Sequence, residues 1–187
     1  MKNDIILAGV GGQGILTIAA IIGKAALKMG LNVKQSEVHG MAQRGGAVLA
    51  HLRLSSDPIY SDLIADGTAD VIIAVEPMEA LRHIRGLSPK GAVVTNSVPV
   101  KNIPYPELED LLKAVRAYPR SLVIDANEIA ANVATPRAMN IVMLGAVSRY
   151  IDIDANCFRE VLIETFARKG QEIVESNLKA FDAGRNA

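Results

Sequence analysis

The chain has 187 residues, half of them hydrophobic and only 4% aromatic, and its 20 basic and 20 acidic residues cancel. This length suits one domain, since domains typically hold about 100 to 200 residues, and the absence of a long block of like charge argues against a nucleic-acid or membrane partner. The sequence shows no signal-peptide pattern and no apolar run of membrane-spanning length, so we expect a single cytoplasmic domain over residues 1–187.

The cysteine and histidine content argues against a metal centre in this chain. Cys157 is the only cysteine, so the chain forms no internal disulfide and cannot supply the four thiolates of an iron–sulfur cluster. Its setting in "DANCFREVL" is typical of a small buried hydrophobic residue rather than of a nucleophile. His39, His51 and His83 show no metal-ligand spacing with one another or with acids.

Hydrophobic periodicity and Gly/Pro punctuation predict strands alternating with helices for two thirds of the chain, followed by helices alone. The predicted strands cover residues 4–8, 32–38, 45–55, 69–76, 91–97 and 121–127. The predicted helices cover residues 13–29, 77–84 and 106–116, then a segment that opens with Thr135 as N-cap and Pro136 at the first helical position, then 155–168 and 169–183. Residues 181–187 are expected to form a frayed tail.

This element order favours an α/β fold in which helices cover a mostly parallel sheet, with a helical C-terminal third. In such sheets the ligand crevice lies beyond the carboxyl ends of the strands. The loops that follow residues 8, 38, 76 and 97 are therefore the expected location of a site.

The first of these loops, "GVGGQG" at residues 9–14, satisfies the G-x-G-x-x-G pattern between a predicted strand and a predicted helix. Glycines there let the backbone approach a phosphate, and the free N–H groups of the helix N-terminus stabilise its charge. A dinucleotide site also needs an acid at the end of the second strand, and Glu37 is the only candidate. A phosphate or nucleotide site, an NAD site and a purely structural turn all remain open from these residues.

The second glycine-rich loop lies within "EVHGMAQRGGAV", residues 37–48, and is predicted to lie at the same sheet edge. It places His39, Gln43 and Arg44 among glycines, and the Arg44 guanidinium has the geometry to hold a carboxylate or phosphate at two points. The alternative is a surface loop with a solvated arginine.

The remaining chain offers no self-sufficient catalytic set. No serine stands in a G-x-S-x-G elbow, and no carboxylate pair is marked out as an acid and base couple. Asn140 is polar within an otherwise apolar helix, where it either caps or cross-links a neighbouring element or belongs to a site. The missing catalytic set indicates that a partner supplies the chemistry.

Three passages together, "GVGGQG", "HGMAQRGG" and "NIVMLGA", resemble the gamma subunits and domains of the 2-oxoacid:ferredoxin oxidoreductases, most of all those of the indolepyruvate type. The resemblance implies a Rossmann-like, doubly wound sheet with helices on both faces. It also implies a complex that oxidatively decarboxylates a 2-oxoacid with coenzyme A, giving acyl-CoA, carbon dioxide and reduced ferredoxin. Thiamine diphosphate and the iron–sulfur clusters would then be held by a larger partner subunit, with coenzyme A near the interface and no cofactor bound by this chain alone.

The same resemblance assigns the residues that face the ligand or the thiamine-bearing partner. They are Gly9, Gly11, Gly12, Gln13 and Gly14 in the first loop, His39, Gly40, Met41, Gln43, Arg44 and Gly45 in the second, and Asn140. Gln43 and Arg44 are hypothesised to contact the partner or an anionic ligand.

The substrate is expected to be indolepyruvate or another aryl pyruvate, with pyruvate, 2-oxoglutarate or a branched-chain 2-oxoacid as the alternative. A freestanding NAD- or FAD-binding oxidoreductase and a non-catalytic nucleotide-binding module are alternatives of another class. A subunit built to meet a partner exposes apolar surface, so the isolated chain is expected to be an inactive homodimer.

Overall fold

The computed structural model describes residues 1–39 and 45–187. Within these residues the strands are β1 (Lys2–Val10), β2 (Asn32–His39), β3 (Ala47–Ser55), β4 (Ala69–Ala74), β5 (Leu87–Asn96) and β6 (Ser121–Ile124). The helices are α1 (Ile15–Lys28), α2 (Pro77–Arg82), α3 (Leu108–Arg116), α4 (Ala126–Val133), α5 (Met139–Val147), α6 (Ala155–Phe166) and α7 (Gln171–Asn186). Each predicted strand is present, which confirms the α/β fold.

The last predicted strand is too long. It ends at Ile124 rather than at residue 127, because Asp125 caps α4 and its carboxylate accepts a hydrogen bond of 2.8 Å from the Glu128 N–H. The sequence Asp-x-x-Glu is a helix-start signal that the strand prediction overlooked. The predicted opening at Thr135 and Pro136 is a short 3₁₀ turn that leads into α5.

The strands form one sheet in the order β2-β3-β1-β4-β5-β6. β1, β4, β5 and β6 run parallel, whereas β3 runs antiparallel to both of its neighbours, β1 and β2. The sheet is therefore mostly parallel, as predicted, but β2 does not lie beside β1. β3 takes that place, and its antiparallel pairing with β2 follows from the short connection between the two strands.

Helices cover both faces of the sheet because side chains alternate along each strand. Ile5 and Leu7 of β1 pack into the larger core with α1, α5, α6 and α7, whereas Ile6 and Ala8 point to the opposite face, where α2 and α3 lie. Residues 141–147 of α5 are all buried, as expected for a helix that is apolar on every side.

The expectation of a frayed C-terminus is wrong. Helix α7 continues to Asn186, and Phe181 is fully buried against Phe158. A Cβ placed on Gly184 would lie 1.9 Å from the Val142 carbonyl oxygen, and one on Gly145 would lie 2.0 Å from the Phe181 carbonyl oxygen. The backbones of α5 and α7 are in direct contact, which the polar composition of the last residues does not reveal.

The strand directions bring four described segments to the carboxyl edge of the sheet, namely residues 9–14, 45–46, 75–77 and 97–107. This is the edge at which open α/β sheets bind ligands. Within residues 1–39 and 45–187, no helix combines the length and the apolar character needed to cross a membrane.

Candidate functional site at the carboxyl edge of the sheet

The glycines of the first loop serve different purposes. Gly9 is a packing glycine, since a Cβ there would lie 2.3 Å from Val75 Cγ2 and 2.7 Å from Ile15 Cδ1. Gly14 has a φ of 77°, and its Cβ would lie 2.5 Å from Asn140 Nδ2. Gly12 has a φ of 99° and faces open space. Only the crest of the loop around Gly12 is thus available to a ligand or a partner.

Gln13 bridges the two strands that flank the switch point of the sheet. Its Oε1 accepts a hydrogen bond of 2.8 Å from the Val10 N–H, and its Nε2 donates one of 3.1 Å to the Val75 carbonyl. From β1 the chain crosses to β2 on one side of the sheet, whereas β4 lies on the other side of β1. A doubly wound sheet opens a crevice at such a position. The Gln13 side chain closes that crevice.

The two glycine-rich loops meet, which confirms that they share an edge. The Gly11 N–H donates a hydrogen bond of 2.8 Å to the Gly46 carbonyl, and Val10 pairs with Ala47. Gly45 is exposed, with a φ of 78°. The backbone of His39 lies at the end of β2, paired with Val48. Gly40, Met41, Gln43 and Arg44 lie outside the described residues.

The strand order disfavours the dinucleotide interpretation of the first loop. Glu37 lies on β2 opposite Ala50 of β3, and β3 separates it from β1. Two strand spacings amount to about 10 Å, whereas a ribose-binding acid belongs at the end of the strand adjacent to the glycine loop. The G-x-G-x-x-G pattern here therefore lacks the acid that would hold a ribose.

The N-terminus of α1 gives the loop its capacity to bind anions. The N–H groups of Ile15 and Leu16 have no acceptor inside the helix, and the first turn contains no acidic residue. Fourteen aligned peptide units place partial positive charge at this end. A phosphate or carboxylate beside Gly12 would be stabilised there.

Asn140 cross-links α5 to this loop, as one of the two sequence interpretations expected. Its Nδ2 lies 3.5 Å from the Gly14 carbonyl oxygen. Beside it lies a groove of about 870 Å³ between the helices of the larger layer, which is lined by cationic Arg137 and Lys169 and by the aromatic ring of Phe166. Among the described residues that line this groove, none is acidic.

Glu76 is a buried acid at this edge that the sequence interpretation assigned to the preceding strand. It is fully buried, its Oε2 accepts a hydrogen bond of 3.0 Å from the Glu79 N–H, and its Oε1 accepts one from the Tyr105 hydroxyl. It caps α2, whose first residue is Pro77. An acid followed by proline is a helix-start signal and would have located it.

Asn96 is a second buried polar residue that the sequence interpretation missed. Its Oδ1 accepts a hydrogen bond of 3.0 Å from the Ala126 N–H, while its Nδ2 lies 2.9 Å from Asn127 Oδ1 and 3.4 Å from the Val75 carbonyl. The Val75 carbonyl therefore accepts hydrogen bonds from both Gln13 Nε2 and Asn96 Nδ2. This network joins β1, β4, β5 and α4 into one rigid edge.

Cys157 has the environment of a structural residue. Its Sγ donates to the Ala25 carbonyl over 3.4 Å, and burial together with the nearby Glu160 carboxylate raises the pKa of the thiol. Within the described ranges, no three side chains of His, Cys, Asp or Glu come together as a metal site.

The fold and sequence place this chain among known proteins. Residues 4–187 match the family described as pyruvate ferredoxin/flavodoxin oxidoreductase. The indolepyruvate oxidoreductase subunit IorB of Archaeoglobus fulgidus is 39% identical over 196 residues, covering 100% of this chain and 95% of that subunit.

Two solved structures are similar in fold. The 2-oxoglutarate:ferredoxin oxidoreductase of Magnetococcus marinus, solved with 2-oxoglutarate, coenzyme A and succinyl-CoA bound, superposes with a TM-score of 0.78 at 27% identity over 99% of this chain. This chain spans only 30% of that one. The pyruvate oxidoreductase subunit PORC of Thermotoga maritima, 22% identical with a TM-score of 0.78, matches 99% of this chain and 96% of its own and shows the shared fold. Because the family match runs over almost the whole length, the chain belongs to the pyruvate ferredoxin/flavodoxin oxidoreductase family.

Proposed function

We propose that this chain is the small subunit of a thiamine-dependent indolepyruvate:ferredoxin oxidoreductase. The observation that carries the proposal is its 39% identity to an IorB subunit over 100% of this chain and 95% of that subunit. In the proposed reaction, an aryl pyruvate and coenzyme A give an acyl-CoA and carbon dioxide, and the two electrons released reduce ferredoxin.

The chain's own part is to complete the active site of a larger subunit. Its partner-facing surface comprises the loop at 9–14, the second loop at 39–46 and the segment 97–107. The side chains of Gln13 and Asn96 at this edge are engaged in internal hydrogen bonds, so these two residues build a platform rather than a catalytic set. Gln43 and Arg44 contact the partner or an anionic ligand.

The cofactors belong to the partner in this proposal. Thiamine diphosphate and the iron–sulfur clusters lie in the larger subunit, since a single half-buried thiol cannot hold a cluster. Coenzyme A approaches along the interface, where the N-terminus of α1 and the cation-lined groove beside Asn140 fit its phosphates.

The isolated chain is expected to be an inactive, cytoplasmic homodimer. Large apolar side chains near the outer edge of the sheet support self-association, because Val38 on β2 is 63% exposed and Leu27 at the end of α1 is 61% exposed. Light scattering of the purified chain that finds only monomer at high concentration would contradict the dimer.

The test is co-expression with a larger subunit that bears thiamine diphosphate and iron–sulfur clusters. Ferredoxin reduction should require both chains and coenzyme A, and kcat/KM should be highest for indolepyruvate. A preference for 2-oxoglutarate would favour the second candidate, a related gamma subunit, which the likeness to the Magnetococcus enzyme supports. Turnover of NAD by the isolated chain would overturn both candidates.

A further inference from the structure

The segment 97–107 crosses the carboxyl edge of the sheet with little regular structure of its own. Its ends are held by backbone hydrogen bonds, from the Ser97 N–H to the Ile124 carbonyl at 2.8 Å and from the Leu111 N–H to the Glu107 carbonyl at 3.3 Å. Between these ends two side-chain bonds attach it to the rest of the edge. The Tyr105 hydroxyl donates to Glu76 Oε1, and Asn102 Nδ2 donates to the Gly45 carbonyl.

A half-open cavity of about 210 Å³ lies between the segment and the rest of this edge. Val100, Asn102 and Ile103 form one wall, and residues 45–47 form part of the opposite wall. The segment and the turn at 45–46 therefore hold each other in place. Gly46 in turn accepts the hydrogen bond from Gly11, so the position of the segment is coupled to the first glycine loop.

Glu76 is a rigid anchor for the segment. It is fully buried, its second carboxylate oxygen is engaged by the Glu79 N–H, and the preceding Val75 carbonyl receives both Gln13 and Asn96. Without the Tyr105 hydroxyl, a buried charged acceptor would lose its partner, which is among the more costly losses of a hydrogen bond.

The donor in this bond keeps its proton at physiological pH. Burial, and next the adjacent Glu76 carboxylate, raise the pKa of Tyr105 well above the usual value of a phenol. The Tyr105 hydroxyl is therefore the donor of this bond and Glu76 Oε1 is the acceptor.

We propose that Tyr105 is a positioning residue that, through its hydrogen bond to Glu76, holds the segment 97–107 against the turn at Gly45 and so sets the surface presented to the larger subunit. The inference rests on the proposed function in one respect, which is that the carboxyl edge is the partner-facing surface.

The first experiment measures amide hydrogen exchange on the full chain and needs no partner. In Tyr105→Phe, the amides of Asn102 and Gly11, which donate to the Val100 and Gly46 carbonyls, should exchange about 10- to 100-fold faster than in the wild type, because local opening of the segment then breaks one hydrogen bond fewer. Tyr60→Phe is the matched control, since Tyr60 is 92% exposed in the loop after β3, at the opposite edge of the sheet. Glu76→Gln retains a neutral acceptor and should give an intermediate rate.

The second experiment uses the assembled complex. Tyr105→Phe should weaken association with the larger subunit or raise the KM for coenzyme A about tenfold while changing kcat less, since a positioning defect acts on binding. Unchanged exchange at Asn102 and Gly11 in Tyr105→Phe overturns the positioning role of Tyr105 whatever the complex does. Faster exchange with unaltered assembly and kinetics overturns its role at the interface. If the wild-type complex oxidises no 2-oxoacid, the proposed function fails. The exchange result then decides by itself whether Tyr105 holds the segment 97–107 in place.

Discussion

The substitution Gly184→Ala tests whether the crossing of α5 and α7 depends on backbone contact. The added Cβ would lie 1.9 Å from the Val142 carbonyl oxygen, 2.7 Å from its carbonyl carbon and 2.9 Å from its Cα. All three atoms belong to the backbone of a buried helix, so no side chain can rotate away. The two helices must therefore separate at this point.

The magnitude follows from three contributions. Overpacking of a filled core costs about 1 to 3 kcal/mol, and alanine is better than glycine inside a helix by about 1 kcal/mol. If the last turns of α7 detach, the overpacking is relieved but the burial of Phe181 is lost, at a cost of roughly 3 to 5 kcal/mol as in a Phe→Ala change, which the gain from alanine reduces by about 1 kcal/mol. We expect a net destabilisation of about 2 to 4 kcal/mol, and roughly 1 kcal/mol shifts Tm by about 2 to 4 °C in a chain of this size.

The assay is urea unfolding followed by circular dichroism, with Gly23→Ala as the control. Gly23 is also a buried helical glycine, but its Cβ would meet only Val33 Cγ1 at an ordinary 3.6 Å. The identical chemical change should therefore stabilise there, by about 0.5 to 1 kcal/mol. A Gly184→Ala protein as stable as the wild type would refute the reasoning.

The other predictions concern the site and the response to pH. Gln13→Ala should lower the free energy of unfolding by about 1 to 3 kcal/mol, because the Val10 N–H loses its acceptor, and a denaturation midpoint equal to the wild type would contradict this. Arg44→Ala should impair assembly or activity of the complex. Arg85→Ala is the control and should not, because the Arg85 side chain is 86% exposed in a surface ion pair. An Arg44→Ala complex that assembles with full activity refutes the role of Arg44. Burial opposes ionisation of Asp4, but hydrogen bonds from Arg53 and Lys2 outweigh it and lower the pKa of Asp4. The stabilisation that Asp4 contributes is therefore fully present above its pKa in the unfolded chain and is lost as the pH falls through its pKa in the folded chain. Asp4→Asn should therefore be less stable than the wild type at pH 7 and show a shallower loss below pH 4, and parallel acid-unfolding curves would count against that assignment.

The sequence was informative wherever the structural signal is local. Alternation, helical periodicity and Gly/Pro punctuation located every strand, and the match of "GVGGQG" to a strand-loop-helix turn identified the loop that leads into α1. The resemblance to the 2-oxoacid oxidoreductases rested on three separated passages, and the family match over residues 4–187 bears it out. The strand that ends three residues earlier than predicted also follows a local signal. The helix cap at Asp125 is present in the sequence, but the prediction gave more weight to the apolar run before it.

The tertiary structure decided what depends on contacts between distant residues. The short-range sequence pattern does not distinguish Gly9 from Gly12, because the closest contact of a Cβ on Gly9 is with Val75, 66 residues away, whereas Gly12 faces open space. The same holds for Gln13, whose side chain bonds the Val10 N–H and the Val75 carbonyl, and for Tyr105 and Glu76, which are 29 residues apart. By itself the sequence determined the fold class, the elements and the family, since these follow from short-range patterns. Strand order, the packing of α7 and the role of each glycine were decided only by the tertiary structure. The physical reason is that strand pairing and close packing each depend on two segments of the chain together.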